Sequence, residues 1–328
     1  MKFKDNYFDS LILSQSNILF TFGNVGSGKT CFFGHSLNHI YYNHLLELNR
    51  KSNLEGYRHC DLITKNMRNN ILPDKTLSGE LKNVDFKITR DLGNGKIDST
   101  YFTYMDMPGD DLKNVAPNAS DVTGEITGGD LPPHIEQFFQ YDGLNLTLIG
   151  VVDFNDAEEQ FDLFHKFLNH ITSQYNYKIQ KCLIIVTKWD ENQEYDNLKQ
   201  FIDDKGKQCL FWMKYKVDMW SAFPFSIGTI DSNFPQKLSE PNYHYCAPIL
   251  DWLISTSGYN KLIEFDGEDL IIQTRNVDEE NKRIVNVFRF IGSTMLPYFS
   301  SALLEISKMA DSVRNIRGKK TENEMNDE

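Results

Sequence analysis

Cysteine is scarce in this chain of 328 residues: five thiols stand at 31, 60, 182, 209 and 246, and no two make a CxxC pair. With no histidine cluster at ligand spacing either, neither a disulfide framework nor a zinc site is expected. Long apolar runs are also missing, since no run of 18 uncharged apolar residues occurs, so no stable membrane span is expected. The opening MKFKDNYFDS is too polar for a secretory leader, which predicts a cytoplasmic protein. Positive charge is in deficit: 34 Lys and Arg against 46 Asp and Glu leave a formal net charge of −12. That balance argues against a nucleic-acid partner or an anionic membrane surface, and any affinity for phosphate must come from a built site. Internal repeats are absent, as is any second glycine-rich loop.

What is present is enough apolar residue, 40% of the chain, to build a core. Residues 18–22, ILFTF, read as a buried strand. Phe33, Leu37, Ile40, Tyr41, Leu45 and Leu48 then recur at steps of three and four or close to it, which predicts one amphipathic helix through residue 48. Residues 50–80 are polar, with Pro73 and Gly79, and read as a long surface connection. LKNVDFKITR and STYFTYMDM alternate apolar with polar around Asn94-Gly95, the signature of a hairpin. Residues 107–134 carry Gly, Asp, Pro and Asn without apolar period and read as a loop. LNLTLIGVVDF and KCLIIVTKWD are near-continuous apolar runs, as in strands covered on both faces, with a helix marked by Phe161, Phe164, Leu168 and Ile171 between them. AFPFSIGTI offers a last strand and APILDWLIS a last helix. The order predicts an α/β fold with a mostly parallel sheet plus one antiparallel edge strand. A second helical pattern, Ile284, Phe288, Ile291, Met295, Phe299, Leu303, Ile306 and Val313, predicts a C-terminal helical extension over 258–318, kinked at Pro297, before a charged tail at 319–328 expected to be disordered.

The chemistry gathers in three short stretches. Gly23, Gly28, Lys29 and Thr30 fit GxxxxGK[ST] directly after the first strand. Glycine is required there because the amides of Gly26, Ser27, Gly28, Lys29 and Thr30 must turn inward around phosphate oxygens, with Asn24, Val25 and Cys31 completing the stretch in contact with nucleotide. Lys29 reaches the terminal phosphates, Thr30 offers a hydroxyl to Mg²⁺, and the helix that follows directs its positive end at the same anion. The bland alternative is a glycine turn with a solvated lysine. Asp106-Met107-Pro108-Gly109 places a carboxylate at a strand end, where it can hold Mg²⁺ through water, and a glycine amide that can approach a γ-phosphate. By itself the same tetrapeptide is a turn. Thr187, Lys188 and Asp190 close another strand, and a carboxylate there accepts both N–H groups of a guanine edge, whereas adenine would leave it unpaired.

In this order the elements resemble those of the TRAFAC-class, Ras-like GTPases over residues 15–257, with a TKWD similar to the TKxD of dynamin-like branches. The resemblance implies a Ras-like P-loop G domain over 1–257 with a long switch II insert, binding GTP or GDP with Mg²⁺. It implies that Thr30 and Asp106 serve the metal, that Thr187, Lys188 and Asp190 serve the base, and that Ser226 and Ile227 bring an amide to the guanine oxygen, although SIG departs from the usual SAK. A switch I threonine is expected before the hairpin, and Thr76 is the best placed, with Ser78 next. Gly109 opens switch II, and Asp110 stands where a water-positioning glutamine is usual, which predicts slow hydrolysis. In style the chain also resembles accessory GTPases of bacterial or phage conflict systems. The expected function is a GTP-dependent switch or slow GTPase that signals to a protein partner, or self-associates, through the C-terminal amphipathic helix. The alternatives are a P-loop ATPase or kinase, and a catalytically inactive nucleotide-binding scaffold, a pseudo-GTPase. His134, His165, His170 and His244 are scattered and are expected to be surface or core residues; Asp153 and Asp156 are expected to end a strand and cap a helix.

Overall fold

The computed structural model describes residues 5–48, 54–74, 82–91, 97–106, 131, 133–141 and 143–258. In chain order these form α1 (Asp5–Leu13), β1 (Asn17–Phe22), α2 (Lys29–Asn43), β2 (Leu45–Leu48), α3 (Leu54–Arg68), β3 (Lys82–Asp91) and β4 (Ile97–Asp106). Then come α4 (Pro133–Gln140), β5 (Asn145–Asp153), α5 (Ala157–Gln174), β6 (Ile179–Thr187), α6 (Leu198–Lys205), α7 (Lys207–Lys216), β7 (Val217–Pro224), β8 (Gly228–Ile230), β9 (Leu238–Pro241) and α8 (Cys246–Ser255). Thr76, Ser78, Gly109, Asp110, almost all of the 107–134 loop, the Asn94-Gly95 turn and everything from 259 onward lie outside the described residues.

The architecture is α/β, with a seven-stranded sheet in the order β2-β3-β4-β1-β5-β6-β7 and a separate two-stranded ribbon of β8 and β9. Strands β4, β1, β5, β6 and β7 run parallel. Alternation along the strands explains the three layers. In β1, Ile18, Phe20 and Phe22 belong to one core, with Phe138 of α4 and Phe164 and Phe167 of α5, while Leu19 belongs to the other, with Phe33 of α2 and Ile63 of α3. In β6, Cys182, Ile184 and Val186 face the first layer, and Leu183 and Ile185 the second. Both faces of each strand are therefore buried, which is why these runs carry almost no polar residues. Among the described residues no helix is long and apolar enough to cross a membrane.

Four expectations need correction. The helical stripe does not run to residue 48: α2 ends at Asn43 and Leu45–Leu48 turn back as β2, pairing antiparallel with β3. Leu45 and Leu48 continued a helical spacing in the sequence, but a four-residue strand fits the same apolar positions. The antiparallel strand is not at the edge, because β3 is antiparallel to both neighbours and β2 lies outside it. Residues 50–80 are not only a surface connection, since α3 occupies 54–68 and buries Gly56, Cys60, Ile63, Thr64 and Met67. That stripe is short and partly polar, so its period is hidden among charged neighbours. Finally, AFPFSIGTI is not one strand: β7 begins at Val217 and ends at Pro224, and Gly228–Ile230 belong to the ribbon.

Candidate nucleotide-binding site

The chain runs out from β1 to β2, β3 and β4 on one side and then to β5, β6 and β7 on the other. The carboxyl end of β1 therefore lies at the reversal of strand order, where an open α/β sheet forms its ligand crevice. Register brings the other candidates to the same rim: Phe20 pairs with Met105, next to Asp106, and Asp153 pairs with Thr187.

The loop after β1 turns through positive φ at Gly26 (81°) and Gly28 (88°), conformations an L side chain rarely adopts. Gly23 is needed for another reason: a Cβ there would lie 2.5 Å from Val151 O and 2.6 Å from Ser27 Oγ. Lys29 is 6% exposed, and its Nζ donates to Gly23 O at 2.7 Å and Asn24 O at 2.9 Å, closing the loop on itself. Among the described residues, Ser27 Oγ is buried with no hydrogen-bond partner, and so is Asn24 Oδ1. An orphaned hydroxyl in a glycine cradle is a donor waiting for an acceptor, and phosphate oxygens are acceptors of that kind. Tyr104 of β4, fully buried, donates to Lys29 O at 3.3 Å and stacks on Phe33 at 3.6 Å, fixing the start of α2 against the sheet. Burial raises its phenol well above the ordinary value, so it remains a donor. The Cys31 thiol, pushed up to about 11 by burial and by Asp106, stays protonated.

Asp106 is 0% exposed. Thr30 Oγ1 donates to its Oδ1 at 3.4 Å, and His59 Nε2, from α3, donates to its Oδ2 at 2.9 Å. The imidazole tautomer follows from the acceptor, since a carboxylate oxygen requires an N–H. Hydroxyl and carboxylate are hard oxygen donors suited to Mg²⁺. Among the described residues no group of three or more His, Cys, Asp or Glu could hold a metal by itself, so a cation here would complete its shell with phosphate oxygens and water. His59 was not singled out by the sequence, because it lies 47 residues before Asp106 in a stretch read as connection.

At the other end of the rim, Thr187 Oγ1 donates to Ser27 O at 2.8 Å, with Val152 O at 3.2 Å. Lys188 adopts the left-handed conformation (φ 56°) and its Nζ pairs with Asp153 Oδ2 at 2.5 Å. Burial alone would lower the Lys188 ammonium, but Asp153, with Glu191 and Asp156 behind it, outweighs this and raises it. Asp153 thus does more than end β5 and accept from Asn155 N at 3.0 Å; Asp156 makes no side-chain cap. Asp190 is exposed, and among the described residues its carboxylate makes no hydrogen bond or ion pair. It is close enough to Tyr245 that, after burial, its charge is what raises that phenol.

The loop after β7 is tied to this end, with Phe225 N donating to Val186 O at 2.7 Å and Trp189 N to Phe225 O at 3.2 Å. Ser226 is buried, and its Oγ accepts Gly228 N at 3.0 Å. Ile227 O accepts Asn242 N at 2.9 Å, and Asn242 O accepts His35 Nε2 of α2 at 2.7 Å. His35, stacked on Tyr243 at 4.1 Å and pushed down to about 4 by burial, is a neutral strut between the helix after the glycine loop and the loop carrying Ser226. The structure thus brings together loop 23–31, Asp106, Thr187, Lys188, Asp190, Ser226 and Ile227. The chain matches no protein-family model and no curated protein.

Proposed function

We propose that the protein is a GTP-binding molecular switch or slow GTPase with a Ras-like P-loop architecture, hydrolysing GTP to GDP and phosphate with Mg²⁺. The observation that carries this reading is the hydroxyl of Thr187 on the carbonyl of Ser27: it ties the candidate base element to the candidate phosphate loop. On this reading the base lies at Asp190 and the phosphates lie at the glycine loop.

On this reading Lys29 leaves the carbonyls of Gly23 and Asn24 and turns to the β and γ phosphates. The orphaned Ser27 hydroxyl gains an acceptor. Asp190, with no partner to release among the described residues, accepts the two guanine N–H groups, and the stem of Lys188, its head held by Asp153, lies along the base. Mg²⁺ supplies charge neutralisation on the phosphates, held by Thr30 and, through water, Asp106. Gly109, Asp110 and Thr76 would act from the switch segments, and a protein partner or a second copy would read them through the C-terminal segment.

Titration with fluorescent GTP, GDP and ATP analogues in Mg²⁺, alongside phosphate release over time, tests the proposal. Guanine-selective binding with slow turnover supports it. Preference for ATP would favour the ATPase or kinase alternative, and guanine binding without any turnover the inactive scaffold. No nucleotide binding at all would refute it.

A further inference from the structure

Asp106 has two oxygens, and two different elements hold them. Oδ1 faces Thr30 at the start of α2, and Oδ2 faces His59 of α3. The second contact is the shorter, 2.9 Å against 3.4 Å, and it joins a carboxylate that is 0% exposed to a ring that is 17% exposed.

His59 does not reach Asp106 by chance of a mobile side chain, because α3 is locked in place. Cys60, Ile63, Thr64 and Met67 are buried on α3, which packs against both α2 and β3. Gly34 of α2 permits the approach: a Cβ at that position would overlap Ile63 Cγ2 and come 3.1 Å from Met67 Cγ. Thr64 Oγ1 donates to Cys60 O at 2.7 Å, so this turn carries an added hydrogen bond. With α3 seated so closely, the residue before Cys60 is fixed over the end of β4.

A carboxylate at a metal site can turn about its terminal bond and exchange its oxygens. A donor fixed on one oxygen sets the plane of the group and leaves the other to the metal side; such outer partners typically contribute 10- to 100-fold to metal affinity. We propose that His59 is the positioning residue for Asp106, holding Oδ2 so that Oδ1 and the Thr30 hydroxyl face the cation together. The proposal rests on the Mg²⁺-nucleotide reading of this site and adds to it a residue from α3.

The test is the Mg²⁺ dependence of nucleotide binding. Fluorescent GDP is titrated across Mg²⁺ concentrations, and in EDTA, for the full-length wild type, Asp106→Asn, His59→Phe and His59→Gln. Phe keeps a ring of similar bulk without donors, and Gln keeps a donor at the reach of Nε2. The expected result is a Mg²⁺ midpoint raised roughly 10- to 100-fold in His59→Phe, affinity in EDTA unchanged within about twofold, and most of the midpoint recovered in His59→Gln. If Phe is not accommodated, as read from circular dichroism, His59→Ala takes its place in the same assay. A wild-type midpoint in the donor-free variant overturns the proposal, and so does an equal loss with and without Mg²⁺, which would make His59 only a peg for α3. If the wild type and Asp106→Asn bind GDP alike at all Mg²⁺ concentrations, the metal assignment of Asp106 itself fails, an outcome distinct from a change confined to Asp106→Asn.

Discussion

Thr187 Oγ1 lies 2.8 Å from Ser27 O, so the end of β6 holds the glycine loop by a side chain donating to a backbone carbonyl. Its methyl group also crowds the loop: a Cβ on Gly28 would stand 3.3 Å from Thr187 Cγ2. A threonine at this position therefore does two things, donating a hydrogen bond and packing under a glycine in the left-handed region.

Thr187→Ala should weaken GTP binding and lower unfolding stability by about 1–2 kcal/mol, the cost of leaving a buried acceptor without its donor. Thr187→Ser, which keeps the hydroxyl, should recover most of the nucleotide affinity. Equilibrium urea unfolding and GDP titration of both variants check this; equal losses would assign the effect to the methyl instead.

Two substitutions probe the ligand ends separately. Lys29→Ala should weaken nucleotide binding by roughly 10- to 150-fold, as for a lost hydrogen bond to a charged group, with unchanged circular dichroism. Asp190→Asn should move preference from guanine to xanthine nucleotides, because the amide donates where the carboxylate accepted, with discrimination on the order of a hundredfold. Unchanged GTP affinity in Asp190→Asn would refute its part in base recognition.

Gly34→Ala should destabilise the fold by about 1–3 kcal/mol through overpacking against Ile63 and Met67. The double variant Gly34→Ala, Ile63→Ala should cost less than the sum of the two single changes, since the second removes the methyl the first meets. Thermal unfolding of the four proteins measures the coupling.

The acid limb of stability should carry a signature of His35. Its folded value, about 4, is below its ordinary 6.5, so the unfolded chain binds more protons between these values. Stability is then fully present above pH 6.5 and falls as pH drops toward 4, by roughly 3 kcal/mol at most. His35→Gln should be less stable at pH 7.5 but flatter between 6.5 and 4.5, as urea melts at several pH values would show.

At the opposite end of the sheet Lys181 is fully buried, donating to Asn145 Oδ1 and, at 3.5 Å, to Thr256 O. Burial pushes its ammonium down to about 7 from 10.5. This depressed value works in the same direction: stability is complete above pH 10.5 and is lost as pH falls through about 7, over roughly 5 kcal/mol at most. Lys181→Met should abolish the gain that the wild type shows between pH 7 and pH 9.5 in chemical denaturation.

The parallel strands were legible because each is buried on both faces, and burial of that kind leaves no choice but an apolar run, as in residues 146–152 and 182–186. The β3–β4 hairpin was legible from alternation, and the glycine loop because only glycine tolerates its φ values. The helix α3 was not, since its five buried positions are interspersed with His59, Asp61, Lys65 and Asn66. The β2 strand was not, since four residues after a helix continue its period by accident.

By itself, then, the sequence determined the α/β class and the local chemistry: a glycine loop with its lysine and threonine, a carboxylate ending β4, and a TKWD ending β6. Local bonding rules suffice for these, because each is a short stretch whose backbone demands specific residues. Only the tertiary structure decided that Thr187 grips Ser27, that Lys188 is paired with Asp153, that His35 braces the loop after β7 and that His59 stands on Asp106. Those contacts join residues 35 to 207 positions apart, and such pairs are set by strand order and helix packing, which no local pattern encodes.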